Sequence, residues 1–257
     1  MNRVSICVVT HNNCNEILNL LKSIYENTVE VNFSVFVVDN NSSDNTVNLI
    51  SKYYPNVEII KTNCNKGFGY AHNLVIDKID SDFHIIINPD ISFNVNVLKQ
   101  LSDYLSENND VIIVTPKILH PNGSEQYLPK REPKIKYLMA GKLERFSNSL
   151  SKLRSKYTME NECLEEPVDI DFCTGCFMMI RTEIFKKLNG FDDRFFMYFE
   201  DADLSKRAKK FGRVIFFPKI YVTHSWERAS SKKIKFLFIH ISSMIKYLIK
   251  WNKLRGF

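Results

Sequence analysis

The chain has 257 residues and lacks a long hydrophobic run. No apolar stretch reaches the roughly 20 residues that a helix needs to cross a bilayer. Residues 1–13 also lack an apolar segment followed by a small-residue cleavage site, so we expect no signal peptide. Apolar residues still make up 44% and charged residues 25%, which excludes a disordered chain and a fibrous repeat. This length predicts one large domain or two modest ones.

Cysteine offers no framework for disulfides or zinc. The six cysteines are scattered, and only Cys173 and Cys176 stand at CxxC spacing. A zinc ribbon would need a second such pair, and a redox pair would open a helix near the start of a thioredoxin-type unit. We therefore interpret these two residues as core thiols on either side of a glycine turn. With no export signal, we expect reduced thiols in a cytosolic protein.

Acidic residues are absent from residues 232–257, although seven basic side chains lie there. The chain carries a net charge of +6, so the preceding residues sum to about −1. Such a chain is not a uniformly basic nucleic-acid-binding protein. Apolar residues recur in this tail at helical spacing, with Tyr247 and Trp251 as interface-type aromatics. The pattern favours an amphipathic helix on an anionic membrane; the alternative is a C-terminal helix packed on the domain with a solvated basic face.

Two hydrophobic periods alternate along the first 115 residues. Short apolar runs predict strands, and the segments between them carry apolar residues at helical spacing. The predicted strands are Val4–Val9, Ser34–Val38, Val57–Ile60, Phe83–Ile87 and Val111–Val114. Strands that alternate with helices are typical of βαβ units, so the fold class is α/β, with a mostly parallel sheet flanked by helices.

The second half of the chain is less regular. Residues 117–167 have no clear period, and we expect an irregular excursion with a short helix near Tyr137–Leu153. Strands are predicted again over Cys176–Ile180 and Val214–Phe217, with a helix through Leu204 between them. Ligands of open α/β sheets bind beyond the carboxyl ends of the strands, so we look for the site in the residues that follow each strand.

Asn88-Pro89-Asp90 follows a predicted strand that is strongly apolar. A carboxylate in this position can bind a hard divalent cation, which in turn bridges the oxygens of a diphosphate. The alternative is a simple strand-ending turn, because Asn, Pro and Asp all favour turns. His224 also follows strand-like residues and could reach the same edge, although a lone histidine is more often structural.

Glu200, Asp201 and Asp203 place three carboxylates within four residues. Their mutual repulsion can raise the pKa of one of them into the range that suits a general base. The alternative is a helix N-terminus, where Asp201 would be a good cap. The aromatic run over residues 195–199 favours the first interpretation, because buried acids usually have a function.

Gly67 and Gly69 form a G-x-G, but His72 stands where a third glycine would complete the dinucleotide fingerprint. The fingerprint also belongs after the first strand, whereas this turn follows the third. A nicotinamide or flavin dehydrogenase is therefore disfavoured. The glycines could still let the backbone approach a nucleotide or pack a helix on the sheet.

Taken in order, these motifs resemble those of the family-2 inverting glycosyltransferases of the GT-A fold. The resemblance is closest to the bacterial rhamnosyltransferase-like branch that builds O-antigen and other surface polysaccharides, and it covers nearly the whole chain. It is carried by residues 8–12, 37–44, 65–73, 88–90, 175–181 and 190–204. The last block is long and specific, and the order and spacing of the others add strength.

The resemblance implies a GT-A domain over residues 1–231, with a nucleotide-sugar-binding half (1–115) and an acceptor and catalytic half (116–231), followed by the tail. It implies Asp201 as the catalytic base, with Glu200 as its neighbour. Nucleotide-sugar ligands would be Thr10, Asn12, Asp39, Asn65, Gly67, Asn88 and Asp90. Asp90 and His224 would bind Mg²⁺ or Mn²⁺, with Asn88 replacing the first acid of the D-x-D metal motif. Arg131 and Trp226 would line the sugar or acceptor pocket.

The function that the resemblance implies is transfer of L-rhamnose from dTDP-L-rhamnose to a lipid-linked saccharide. We expect it at the inner face of the cytoplasmic membrane, with the enzyme bound peripherally. The alternatives are another UDP- or GDP-sugar donor, or a non-catalytic nucleotide-binding scaffold on the same fold. A nucleotidyltransferase that makes activated sugars would need a glycine- and arginine-rich loop after the first strand. Thr10-His11-Asn12-Asn13 is not such a loop.

Overall fold

A nine-stranded sheet runs through the part of the chain that the structure, a computed structural model, describes: residues 1–128, 130–137, 147–225 and 234–253. Its first four strands pair in parallel, as the alternating pattern predicts. These are β1 (Arg3–Thr10), β2 (Asn32–Asp39), β3 (Glu58–Lys61) and β4 (Phe83–Ile87). The connecting helices are α1 (Cys14–Asn27), α2 (Thr46–Tyr53) and α3 (Phe68–Asn73).

The second half of the chain extends this sheet in mixed directions. Its strands are β5 (Ile91–Ser92), β6 (Val111–Leu119), β7 (Val168–Asp169), β8 (Phe177–Arg181) and β9 (Arg213–His224). The sheet order is β3-β2-β1-β4-β8-β6-β9-β5, with β7 also on β9. Because β8 runs antiparallel between β4 and β6, its first residues lie beside the last residues of β4. The carboxyl ends of β1, β2, β4 and β9 therefore share one edge with the start of β8.

Helices cover both faces of the sheet. Those of the second half are α4 (Val97–Glu107), α5 (Asn148–Thr158), α6 (Thr182–Lys187), α7 (Glu200–Ala208) and α8 (Ile234–Lys253). The central strands are buried on both sides, which explains why they are continuous apolar runs rather than alternating ones. The two main apolar clusters lie on opposite faces of the sheet, and a third lies beneath α8.

The last strand is longer than predicted. The apolar run Val214–Phe217 is only its first part, since β9 continues to His224. Beyond Pro218, buried and exposed residues mostly alternate, a half-buried pattern that a search for apolar runs misses. The helix predicted near Tyr137–Leu153 falls partly on residues 138–146, outside the described residues, and α5 begins at Asn148.

The tail helix α8 packs one face against the domain, as the second interpretation of the tail expects. Tyr247 is 1% exposed and Trp251 is 9% exposed, so taking them for interface aromatics was wrong. Both rings join the cluster that includes Phe199 and Tyr157. Among the described helices, none is long and apolar enough to cross a membrane.

Candidate active site

The ends of β1 and β2 bring the first predicted residues together. Thr10 pairs with Asp39 in the parallel register, and both are buried. The backbone N–H of Asn40 donates to the carbonyl of Thr10 (2.8 Å), which joins the two strand ends. The carboxylate of Asp39 accepts from the backbone N–H of Ser42 at 3.3 Å. Asp39 therefore shapes the loop that follows its own strand.

Asn12 stabilises the same loop from the other strand. It has a left-handed backbone, with φ of 58°. Its side-chain oxygen accepts from the backbone N–H of Ser43 (2.8 Å) and of Asp44 (3.3 Å). The side-chain oxygen of Asn12 thus holds the loop backbone in place.

Asn65 and Gly67 tie this edge to the second half of the chain. Asn40 donates to the side chain of Asn65 (3.0 Å) and to the carbonyl of Gly67 (3.2 Å). Gly67 has φ of +102°, and a Cβ at this position would lie 2.1 Å from the carbonyl oxygen of Phe196. The next N–H, that of Phe68, donates to the same oxygen. Only glycine permits this close approach. We call Thr10, Asn12, Asp39, Asn65 and Gly67 the loop cluster.

Asp90 and His224 meet at the neighbouring strand ends. Asp90 Oδ1 lies 3.2 Å from His224 Nε2, and the amide nitrogen of Asn88 lies 3.5 Å from the same atom. The contact is possible because Ile91 pairs with His224 across β5 and β9. The two predicted metal ligands are therefore in direct contact, although 134 positions separate them in the chain.

Gln126 orients the His224 ring, a role that no sequence motif indicates. Its side-chain nitrogen donates to the carbonyl of His224 (2.7 Å), so its oxygen is left to accept from Nδ1 (3.1 Å). This arrangement places a proton on Nδ1, so in the neutral ring Nε2 is the nitrogen whose lone pair faces Asp90. Such an orienting partner is typical of histidines that bind metals.

The Asp90–His224 pair suits a divalent cation in its chemistry. A carboxylate oxygen and an imidazole lone pair face each other at 3.2 Å, which is repulsive without a proton or a cation to share. Oxygen and imidazole donors together suit Mn²⁺ or a related ion. No group of three or more His, Cys, Asp and Glu side chains within the described ranges could hold a metal. Further ligands would have to come from substrate and water.

Glu200 and Asp201 open helix α7. Asp201 is partly exposed, and its carboxylate accepts from the backbone N–H groups of Gly175 (3.0 Å) and Ala202 (2.8 Å). Desolvation raises its pKa to about 6 despite these hydrogen bonds. Glu200 is buried, and burial together with the charge of Asp201 raises its pKa to about 8. Its Oε2 has no hydrogen-bond partner within the described residues.

Gly175 and Cys176 connect the two acidic regions. Gly175 binds Asp201, and the carbonyl of Cys176 accepts from the backbone N–H of Asn88 (2.9 Å). Burial raises the pKa of the Cys176 thiol to about 12, with smaller contributions from the charges of Asp90 and Asp201. Both carboxylates therefore lie near one short segment at the start of β8. We call Asn88, Asp90, Glu200, Asp201 and His224 the acid cluster.

Three sequence predictions remain, those for Arg131, for Trp226 and for the two CxxC cysteines. Arg131 forms an ion pair with Glu162 at 3.1 Å, and Trp226 is outside the described residues. Cys173 and Cys176 are both buried free thiols, which confirms their interpretation as core residues.

The sequence profile of Glycosyl transferase family 2 matches residues 5–189. The match covers most of the chain, and the chain belongs to this family. The predicted family is therefore confirmed. The match ends before helix α7, so Glu200 and Asp201 lie beyond it.

Two curated relatives are rhamnosyltransferases. The N-acetylglucosaminyl-diphospho-decaprenol L-rhamnosyltransferase of Mycobacterium tuberculosis is 29% identical over 74% of this chain, which spans 66% of that relative. Rhamnosyltransferase WbbL of Escherichia coli is 24% identical over 96% of this chain and 93% of its own length.

Solved structures confirm the GT-A type of α/β fold. GalNAc-T7, solved with UDP, GalNAc and Mn²⁺, has a TM-score of 0.67 at 16% identity over 89% of this chain and 44% of that one. Staphylococcus aureus TarS with UDP-GlcNAc has a TM-score of 0.61 at 20% identity over 92% of this chain and 64% of that one.

Proposed function

We propose that this chain is an inverting glycosyltransferase that moves a sugar from a nucleotide-sugar donor to an acceptor hydroxyl. One observation carries the proposal: Asp201, partly exposed and with a raised pKa, lies at the same sheet edge as the Asp90–His224 contact. The first group can accept a proton, and the second can neutralise a departing diphosphate through a cation. Membership of a glycosyltransferase family supports the same chemistry.

Asp201 acts as the general base of a single displacement. The acceptor oxygen attacks the anomeric carbon while its proton passes to the Asp201 carboxylate. The bond from that carbon to the diphosphate oxygen breaks, and the electron pair leaves with the nucleoside diphosphate. The N–H groups of Gly175 and Ala202 aim the carboxylate. Because attack and departure occur on opposite faces of the carbon, the configuration inverts.

Glu200 keeps its proton below about pH 8, so it is neutral when Asp201 has ionised. A single negative charge then serves the acceptor site, instead of two that would repel one another. The two acids titrate as a pair, and the lower step, near pH 6, marks the point at which the base becomes available.

Asp90 and His224 would hold Mg²⁺ or Mn²⁺, with the Asn88 amide beside them. When bound, the ion supplies positive charge to the diphosphate. Gln126 keeps the His224 lone pair directed toward Asp90. Two solved relatives contain Mn²⁺, which supports a divalent ion for this chain.

The loop cluster binds the nucleoside and diphosphate of the donor, within a nucleotide-binding half of residues 1–115. Its loops are already organised by hydrogen bonds between side chains and backbone, so little ordering entropy is lost on binding. The catalytic half, residues 116–231, then carries the base and the acceptor site.

The donor we propose is dTDP-L-rhamnose, and the acceptor is a lipid-linked saccharide. The names of the mycobacterial and Escherichia coli relatives support a rhamnosyl donor, and the first also supports a polyprenyl-diphosphate acceptor. A UDP- or GDP-sugar is the alternative donor, since TarS was solved with UDP-GlcNAc and a mannosyltransferase with GDP-Man. A non-catalytic scaffold would need no raised-pKa acid at the edge.

We further propose that α8 docks on the inner face of an anionic membrane. A repeat of 3.6 residues places Phe238, Ile245 and Ile249 on the side opposite its packed face, and they are 67%, 47% and 51% exposed. The basic, acid-free tail complements anionic lipid. The F238S/I245S/I249S variant should lose sedimentation with phosphatidylglycerol vesicles. Undiminished sedimentation would contradict this, and phosphatidylcholine vesicles are the control.

The proposed reaction is tested with the full chain, Mn²⁺ and a panel of dTDP-, UDP- and GDP-sugars, with a lipid-linked acceptor and detection of transfer by mass spectrometry. Asp201→Asn should lower turnover by about 10²- to 10⁴-fold, because the amide cannot take the proton. Nucleotide affinity, measured by thermal shift, should not change. The control is Asp80→Asn, at a carboxylate whose side chain is 89% exposed. Near-normal turnover in Asp201→Asn would refute the assignment.

A further inference from the structure

The packed face of α8 forms hydrogen bonds and ion pairs with one continuous segment of the domain, residues 192–203, which includes the start of helix α7. The contacts are hydrogen bonds and ion pairs from Ser243 to Met197, Lys246 to Arg194, Lys250 to Asp192 and Asp203, and Trp251 to Asp203. Residues three and four apart on a helix share a face, so these contacts act together. The tail thus covers the element that carries Glu200 and Asp201.

A strained turn leads into helix α7. Tyr198 and Phe199 have φ of 70° and 67°, in the left-handed region that residues with side chains rarely adopt. Such a conformation persists only where its surroundings hold it. The His240 ring lies 5.1 Å from that of Tyr198 and 5.3 Å from that of Phe199, and Tyr247 lies 5.5 Å from Phe199. Two residues of α8 therefore pack directly on this turn.

Asp203 is a fully buried carboxylate that the proposed reaction does not use. Within α7 it pairs with Arg207 at 2.8 Å. From α8 it receives the Lys250 ammonium at 2.5 Å and the Trp251 indole N–H at 3.0 Å. Asp203 is two residues beyond Asp201 on the same helix. These bonds therefore fix the orientation of the first turn of α7 about the helix axis.

We propose that Lys250, Trp251 and Tyr247 are positioning residues for the catalytic carboxylate. Through Asp203 and the strained turn, they hold Asp201 against the N–H of Gly175 and aim it at the acceptor. We call these three residues and their contacts with Asp203 and the strained turn the clamp. The assignment of Asp201 as base rests on the proposed function, whereas the clamp rests on the contacts of α8. The opposite face of the helix remains available for lipid, so one helix serves both purposes.

The test uses the full chain in detergent solution without vesicles. Lys250→Met removes both ion pairs, and Trp251→Phe removes only the indole donor. Lys250→Arg is the conservative rescue, and Ser242→Ala, at an exposed position of the same helix, is the control. We expect Lys250→Met to lower kcat at least about tenfold, because small displacements of a catalytic group are costly in rate. The donor KM and the nucleotide-induced thermal shift should not change.

Hydrogen–deuterium exchange gives a readout that is independent of activity. Peptides covering residues 196–203 should exchange faster in Lys250→Met and in Trp251→Phe, and Lys250→Arg should return both exchange and kcat toward the parent. Ser242→Ala should match the parent in both. If Lys250→Met fails to bind nucleotide, Trp251→Phe decides the question. Unchanged exchange and kcat would overturn the clamp, while a parent that transfers no sugar would overturn only the proposed function.

Discussion

The loop cluster and the acid cluster lie along one sheet edge but use their polar groups differently. In the loop cluster, Asp39 and Asn12 accept hydrogen bonds from backbone N–H groups of the following loop. In the acid cluster, Glu200 and Asp201 are desolvated, with pKa values raised to about 8 and about 6. The comparison teaches that a polar residue at this edge either builds the surface or can do chemistry on it. Burial alone does not distinguish the two, since Asp39 is as buried as Glu200; the acid cluster differs in placing two carboxylates side by side.

Among the predictions that follow, the largest effect is expected from removing the Asp90 carboxylate of the acid cluster. Asp90→Ala should lower turnover on the order of 10³-fold, because a bound cation supplies several kcal/mol to the leaving diphosphate. Nucleotide affinity in Mn²⁺ should fall with it, as measured by calorimetry, while affinity in EDTA should not. Asp80→Ala is the control. Tight Mn²⁺-dependent binding in Asp90→Ala would mean that other residues hold the ion.

A smaller effect tests whether the loop cluster is structural. Gly67→Ala should lower the free energy of unfolding by more than about 1 kcal/mol, since it combines a positive φ with a backbone clash against Phe196. Gly123→Ala is the matched control, because Gly123 also has a positive φ but no atom within 4 Å of the added Cβ. Denaturant unfolding measures both. Equal losses would show that the close approach to Phe196 contributes nothing.

A further prediction concerns Glu200 and depends on pH. Its pKa rises from an ordinary 4.5 to about 8 on folding, so the folded state holds a proton that the unfolded state releases between these values. The stability tied to this proton is complete below pH 4.5 and is lost as pH rises through 8. Glu200→Gln cannot ionise, so it should melt above the parent at pH 9 and near it at pH 4.5. Glu183→Gln, at an exposed acid, is the control, and a constant difference across pH would contradict the assignment.

Much of the first half could be predicted, because its signals are local. Apolar runs predict β1 and β4 well, since both are buried on both faces. The strands of the second half have weaker sequence signals. The end of β9 alternates rather than running apolar, and the two-residue strand β5 is too short for any period, yet together they bring His224 to Asp90. No sequence pattern marks Gln126, because its role depends on its contact with His224, 98 positions further along the chain.

The sequence by itself determined the α/β class, the motif order and the chemical types at the strand ends, because hydrophobic period and turn chemistry act between near neighbours. Only the tertiary structure decided that Gly175 aims Asp201, that Gln126 orients His224, and that Tyr247 and Trp251 face the domain rather than solvent. When a helix has apolar residues on two faces, its sequence pattern does not indicate which face packs against the domain. The surface that covers the packed face of α8 includes residues 192–203 and Tyr157, segments that are distant from the tail in sequence.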